Sequence, residues 1–350
     1  MLIVLVGGAG FVIFSSKPSP SNQGLFQSSA SSEKHTSQPA VEIVNPSGFV
    51  NTDDKPIKIA DYVGKKVILL DILTYSCINC QRTFPYLTAW YDKYEKDGLI
   101  IIGIHTPEFA FEKDKKNVAE AMQKFGITFP IVLDNDYGTW NALHNQYWPH
   151  KYLIDIHGNI VYDHVGEGGY EETEEKIKEL LSERAAVLGA AATLDKGLAA
   201  SGITEEQTAA RSPETYFGSM RNEYLGNGTK ALAGVQTFSL PSSPDTNTLY
   251  LGGTWNISDE SAEAKDTATV EFTYNAKEVY LVAESTEEGT VEVSQDGKGV
   301  EAEAGADAPA GIAKIKTSRL YKIVKNTAAG EHTLELKVSP GVRLFTFTFG

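Results

Sequence analysis

Cysteine is nearly absent. The 350 residues hold two, Cys77 and Cys80, in the stretch LTYSCINCQRT. A disulfide framework of the kind that staples small secreted domains is excluded, and a bridge across two residues would close almost no loop and stabilise little. Positive charge is also scarce: 31 basic residues stand against 46 acidic, a net charge of -15. That balance excludes the basic stripe a nucleic-acid partner requires and an electrostatic grip on anionic lipid. The seven histidines, His35, His105, His144, His150, His157, His164 and His332, show no paired spacing. The cysteines therefore lack the two further ligands of a zinc site, and no metal is expected. Long apolar runs are lacking too. The first fourteen residues, MLIVLVGGAGFVIF, would rise only about 21 Å as a helix, against a hydrocarbon core of roughly 30 Å. No Lys or Arg precedes Lys17 and SSKPSPSN offers no A-x-A cleavage site, so a secretory signal does not fit. Residues 1–14 read as an uncleaved membrane anchor or the end of a truncated transmembrane helix. Residues 15–40, rich in Ser, Pro, Gln and Lys, bury too little apolar surface to order themselves and read as a flexible linker.

What remains is ordinary globular material, 41% hydrophobic and 22% charged, long enough for about two domains. The first spans 41–188. KKVILLDIL (65–73) has the length of a buried strand, and CINCQRTFPYLTAWYDKYEKDG (77–98) follows as a helix that Gly98 can end. LIIIGIH (99–105) is a second buried strand, NVAEAMQKFG (117–126) a helix, ITFPIVLD (127–134) a third strand, and DYGTWNALH a short helix. KYLIDIHGNIVYDHVGEG (151–168) is a hairpin turned at His157-Gly158-Asn159, and EETEEKIKELLSERAAVLG (171–189) is a closing helix. This order predicts a thioredoxin-like α/β domain. Residues 189–210 form a connector, expected to be helical with Thr204 and Gln207 spaced as a capping box. Residues 211–350 read as an all-β, jelly-roll-like sandwich: ATVEFTY (268–274), EVYLVAE (278–284), TVEVSQ before an Asp296-Gly297 turn, HTLELKV and RLFTFTF. Trp255, Tyr250 and Tyr321 fit either that core or a sugar-stacking surface.

The cysteines fall where strand meets helix. Cys77, at the first turn, faces unpaired backbone N–H groups and the positive end of the helix dipole, which favours its thiolate. Cys80, one turn on, lies on the same face and can attack a mixed disulfide formed on Cys77. Asp71, six residues before Cys77 on the strand, can end beneath the pair and shuttle the buried thiol's proton, or serve only as a hydrogen-bonded strand residue. Glu108 reads equally as a cleft carboxylate or a solvated loop residue. Trp148 and Pro149 precede a strand after a long connection. Trp148 fits a partner-docking residue or a core residue.

The C-x-x-C at this junction, Asp71 upstream, Pro85 five residues after Cys80 and the late Trp148-Pro149 resemble the thioredoxins, among which Pro149 corresponds to a cis-proline beside the active-site sulfur. The insert after His105 resembles the TlpA/ResA-like branch, which implies a link to cytochrome c biogenesis. LTYSCINCQRTFPYLTAWYDKYEKDGLIIIGIHTPEFAFEKD, DNDYGTWNALHNQYWPHKYLID, GEGGYEETE, PETYFGSMRNEYLGNG, GGTWNI and FTFTFG are similar to DipZ proteins. Those bacterial membrane proteins join a CcdA-like transmembrane electron-transfer domain to an extracytoplasmic thioredoxin-like domain and a carbohydrate-binding-module-like β-domain. Two departures stand out: only MLIVLVGGAGFVIF stands where the multi-helix transmembrane domain would end, so either the sequence is a fragment or the electron source is a separate protein, and Thr83 occupies the position where many TlpA/ResA-like proteins keep a carboxylate.

The resemblance implies an extracytoplasmic thiol–disulfide oxidoreductase tethered in a bacterial cell envelope. Cys77 would be the nucleophile, Cys80 the resolving thiol, and the Cys77–Cys80 pair the only redox group, with no bound cofactor. Its partners would be protein disulfides and a CcdA-like membrane electron carrier, with cell-wall glycan as a further ligand of the β-domain. Reduction is the expected direction. The alternatives are a disulfide-forming oxidase and a glycan- or protein-binding adaptor.

Overall fold

The computed structural model describes residues 38–190, 194–195, 197–203 and 210–350. The expected anchor, linker residues 15–37 and the Thr204 and Gln207 capping pair lie outside them. The first half runs β1 (Gln38–Pro39), β2 (Gly48–Val50), β3 (Val67–Leu73), α1 (Ile78–Tyr94), β4 (Leu99–His105), α2 (Lys115–Lys124), β5 (Ile131–Leu133), α3 (Gly138–Ala142), β6 (His150–Ile154), β7 (Asn159–Val165) and α4 (Tyr170–Val187). Its sheet has the order β1-β7-β6-β3-β4-β5-β2, with β3, β4 and β5 mutually parallel. VILLDIL and LIIIGIH become central strands because both their faces are covered, and every residue of β3 and β4 is buried. Leu69, Leu73 and Ile101 face α1 and α4 through Leu87, Trp90 and Ile177, while Ile68, Leu70 and Ile102 face Ile59, Trp140 and Tyr152. This is the thioredoxin-like α/β fold. β5 is shorter than the 127–134 expected because Pro130 has no N–H to give to a ladder; its carbonyl instead accepts from Gly103.

The second half runs β8 (Thr215–Tyr216), β9 (Gly234–Phe238), β10 (Leu249–Ile257), β11 (Ala262–Ala264), β12 (Ala268–Glu284), β13 (Gly289–Gln295), β14 (Lys298–Gly299), β15 (Ile312–Ile315), β16 (Arg319–Val338) and β17 (Arg343–Phe349). The runs 268–274 and 278–284, which read as two strands, form one. The polar step Asn275 to Lys277 resembles a turn but is taken up by register shifts near Ala276 and Val279. Before the bulge β12 pairs with β10, Leu249 opposite Phe272; after it β12 pairs with β17, Val279 opposite Phe349. A strand that changes partners at a bend is how two β layers close over one core. Trp255, Tyr250 and Tyr321 are all buried in that region, and the Trp255 indole N–H donates to the Gly252 carbonyl. They are therefore not free to stack on a sugar ring.

The connector departs from expectation. Of its described residues, 189–190, 194–195, 197–203 and 210, none is helical, and 199–202 form a turn. Two causes act together. Gly197 and Gly202 weaken helix propagation, and the buried Glu174 carboxylate accepts the Ala199 and Ala200 amides, Ala200 at 3.4 Å, while also taking the Trp90 indole N–H at 3.0 Å and the Tyr94 hydroxyl at 2.7 Å. Among the described residues no helix is long and apolar enough to cross a membrane.

Candidate functional site

The loop Thr74-Tyr75-Ser76 carries the chain from β3 to α1, and its shape is set by one carboxylate. Glu112 is fully buried and accepts the Thr74 hydroxyl at 2.5 Å, the Ser76 hydroxyl at 2.6 Å and backbone N–H groups of Ser76, Glu108 and Phe109. Burial raises its pKa, and the Ser76 and Thr74 hydroxyls work against that rise. A buried carboxylate is costly unless its oxygens are saturated, and these are. Sequence reasoning passed over Glu112, because nothing in FAFEKD marks it as inward-facing.

Cys77 is the N-cap of α1, in extended backbone conformation with φ -77° and ψ 124°. Its half-buried Sγ accepts the Cys80 backbone N–H at 3.4 Å, so the open end of the helix is capped by sulfur. Cys80 is fully buried, and the two thiols are unbridged. Burial pushes the Cys80 thiol well above its ordinary range, the neighbouring Cys77 adds to this, and Asp71 contributes further in the same direction.

Asp71 lies on β3 directly opposite Lys151 of β6, and both are fully buried. Burial lifts the Asp71 carboxyl to about 7, with the Lys151 charge opposing the rise. Burial lowers Lys151, and Asp71 and then Cys80 counter that. The Lys151 ammonium donates to the Gly166 carbonyl at 3.0 Å and sits 5.5 Å from the Tyr170 ring centre. Neither Asp71 oxygen accepts a hydrogen bond from a described residue. The Asp71 carboxyl, the Lys151 amine and the Cys80 thiol are thus all fully buried and sense one another's charge. Lys151 was not singled out from the sequence, yet a lysine inside the buried strand run KYLID was a legible anomaly.

The Trp148–Pro149 peptide is cis, and the Trp148 ring packs against Trp140 with centres 4.3 Å apart. Its indole N–H donates to the Thr106 carbonyl at 3.0 Å, and both Trp148 and Cys77 pack against the same core. Its backbone N–H and C=O enter none of the backbone hydrogen bonds among the described residues. Pro149 is buried, and its carbonyl accepts the Gly166 N–H. Thr83 is buried against Tyr170, 3.4 Å between oxygens, and donates to the Asn79 carbonyl. His105, at the end of β4, stacks on Tyr75 at 5.7 Å, and burial lowers its pKa to about 3, which keeps it neutral.

Glu108 is not a solvated loop carboxylate. It accepts the Tyr216 hydroxyl at 2.8 Å and the Arg221 guanidinium at 2.7 Å, so it ties the insert to the β region. Ile78, between the cysteines, is buried among Phe109, Tyr280, Val282, Leu320 and Phe345. No sequence signal within C-I-N-C could have shown that contact, since four of its partners lie between 202 and 267 residues away. Among the described residues no cluster of His, Cys, Asp and Glu is arranged to hold a metal ion.

Residues 36–163 match the AhpC/TSA family and residues 212–350 match the family described as thioredoxin-like C-terminal domain. Protein DipZ of Mycobacterium tuberculosis is 36% identical over 313 residues, which cover 89% of this chain and 43% of that protein. The chain thus spans under half the length of that relative. Thiol-disulfide oxidoreductase ResA of Geobacillus kaustophilus is 32% identical over 134 residues, 38% of this chain and 74% of that protein. A solved thioredoxin-like protein in its oxidised form is 26% identical, with a TM-score of 0.39 over 42% of this chain and 97% of its own.

Proposed function

We propose that this chain, which belongs to the thioredoxin-like thiol–disulfide oxidoreductases, reduces protein disulfides through Cys77 and Cys80. The observation that carries the reading is a half-buried sulfur capping the helix at Cys77, a fully buried thiol at Cys80, and the buried Asp71–Lys151 pair whose charges act on Cys80. Cys77 as thiolate attacks a substrate disulfide, R–S–S–R′, forming Cys77–S–S–R and releasing R′–S⁻. Cys80 then gives its proton to the Asp71 carboxylate and attacks the Cys77 sulfur. R–S⁻ departs, and the chain is left with the Cys77–Cys80 disulfide, two electrons having passed to the substrate. Lys151 is a positioning residue in this scheme: its charge makes the buried carboxylate accessible near neutral pH.

Reduction is the direction proposed, on the resemblance to the TlpA/ResA-like branch. Burial and the Asp71 charge both oppose ionisation of Cys80, which suits a resolving thiol that waits protonated. The likeness to DipZ supports two further parts of the proposal, a tether at residues 1–14 that holds the chain on the outer side of a bacterial membrane, and a CcdA-like carrier that returns two electrons and two protons. The test of direction is the reduction potential, measured by equilibration with defined thiol–disulfide buffers. A value near about -270 mV agrees with a reductase, and a value near about -120 mV would make the chain a disulfide donor instead.

A further inference from the structure

Three stretches of the thioredoxin-like region border Cys77, and the β region covers two of them. In the first, Ile78 is 7% exposed beneath Tyr280, Val282, Leu320 and Phe345, and the Tyr75 hydroxyl donates to the Ser318 carbonyl at 3.0 Å. In the second, the Phe109 and Phe111 rings meet Phe345 edge-on with centres 5.1 and 4.9 Å away. The polar seam at Glu108 closes the margin there, with the Arg221 guanidinium lying 3.7 Å from the Tyr216 ring centre. One turn into α1, Arg82 is held by Glu167 at 3.5 Å and by Glu278 of the β region at 3.8 Å. Only the third stretch stays open: Tyr147 is 52% exposed and Trp148 is half-buried with its backbone polar groups unpaired by backbone.

We infer that the β region is one wall of the thiol site, and that it limits substrates to disulfides carried on extended or flexible segments. The inference rests on the oxidoreductase reading and adds its substrate class. A convex protein face would have to rest on all three stretches to bring its sulfur to Cys77. A single extended strand occupies a width of only about 5 Å and can lie along Tyr147 and Trp148, pairing its backbone there. Ile78 and Phe109, spent on the intramolecular contact, are not available to a partner.

The experiment uses the full chain and one carrier protein bearing a glutathione mixed disulfide at either of two equally exposed cysteines, one on a flat helical face and one in a flexible tail. The tail disulfide is expected to be reduced with a kcat/KM at least about 30-fold higher. Leu320→Ala, which lowers the wall, and Arg221→Ala, which unpins the seam without opening a core cavity, should each shrink that ratio below about 5-fold. Thermal melts identify which variants are folded. Equal rates at the two positions in the unaltered chain would overturn the wall, as would a ratio left unchanged in a folded variant. Free glutathione disulfide serves as a third probe. If neither it nor either carrier disulfide is reduced, the oxidoreductase reading itself fails.

Discussion

Asp71 and Lys151 show how far a single sequence exposes its chemistry. The places of Cys77 and Cys80 at the strand–helix junction and of Asp71 on the buried strand were legible from the sequence pattern. Lys151 was not, since it becomes a partner of Asp71 only when β6 pairs with β3. The pair makes a pH prediction with a definite sign. Asp71 must be ionised to accept a proton and titrates at about 7, so the resolving step should quicken as pH rises through that value and then level off. Asp71→Asn should remove this limb and slow resolution about 100-fold at pH 7, read by quenched-flow trapping of the mixed disulfide. Lys151→Met should move the inflection to higher pH, because the lost cation was opposing the burial-driven rise. An inflection that stays put would remove Lys151 from the mechanism. Glu112 makes a stability prediction: Glu112→Ala orphans several buried donors at once and should cost about 2–4 kcal/mol in urea melts.

Among the elements, those buried on both faces were the easiest to read. β4 occupies the residues expected, and β3 falls within its run, because a mostly apolar run of seven residues covered on both faces has little choice but a central strand. Boundaries moved where a residue's hydrogen-bonding capacity decided the matter, as at Pro130. β12 was misread because a bulge and a turn share polar, small residues, and which one forms depends on the strand alongside. The connector residues 197–203 are not helical for a related reason: Glu174, on α4, takes the amides that a helix would have used. Removing that carboxylate should release the connector. Glu174→Ala is expected to make the chain about tenfold more sensitive to protease near Ala199 and Ala200 under native conditions, mapped by mass spectrometry. An unchanged cleavage rate would show that Leu194 and Ile203, which pack against the core, are enough to hold it.

At the scale of the whole molecule, the two regions share a core cluster that includes Ile78, one of the two residues between the cysteines. Neither half's pattern could announce this, because Ile78 and Leu320 each look like ordinary core residues of their own domain. A shared apolar cluster should couple the two in unfolding. The chain is expected to melt in a single calorimetric transition, and Phe345→Ala, which removes a ring touching both Phe109 and Phe111, should cost about 3–5 kcal/mol and split that transition. The central claim is nevertheless the division of labour between the two thiols, and trapping tests it most directly. After incubation with a protein disulfide substrate, Cys80→Ala should accumulate a covalent mixed disulfide through Cys77, visible as a shifted band on non-reducing gels and assigned by mass spectrometry, whereas Cys77→Ala should accumulate none. Trapping through Cys80 in the Cys77→Ala chain, with none in Cys80→Ala, would contradict the account.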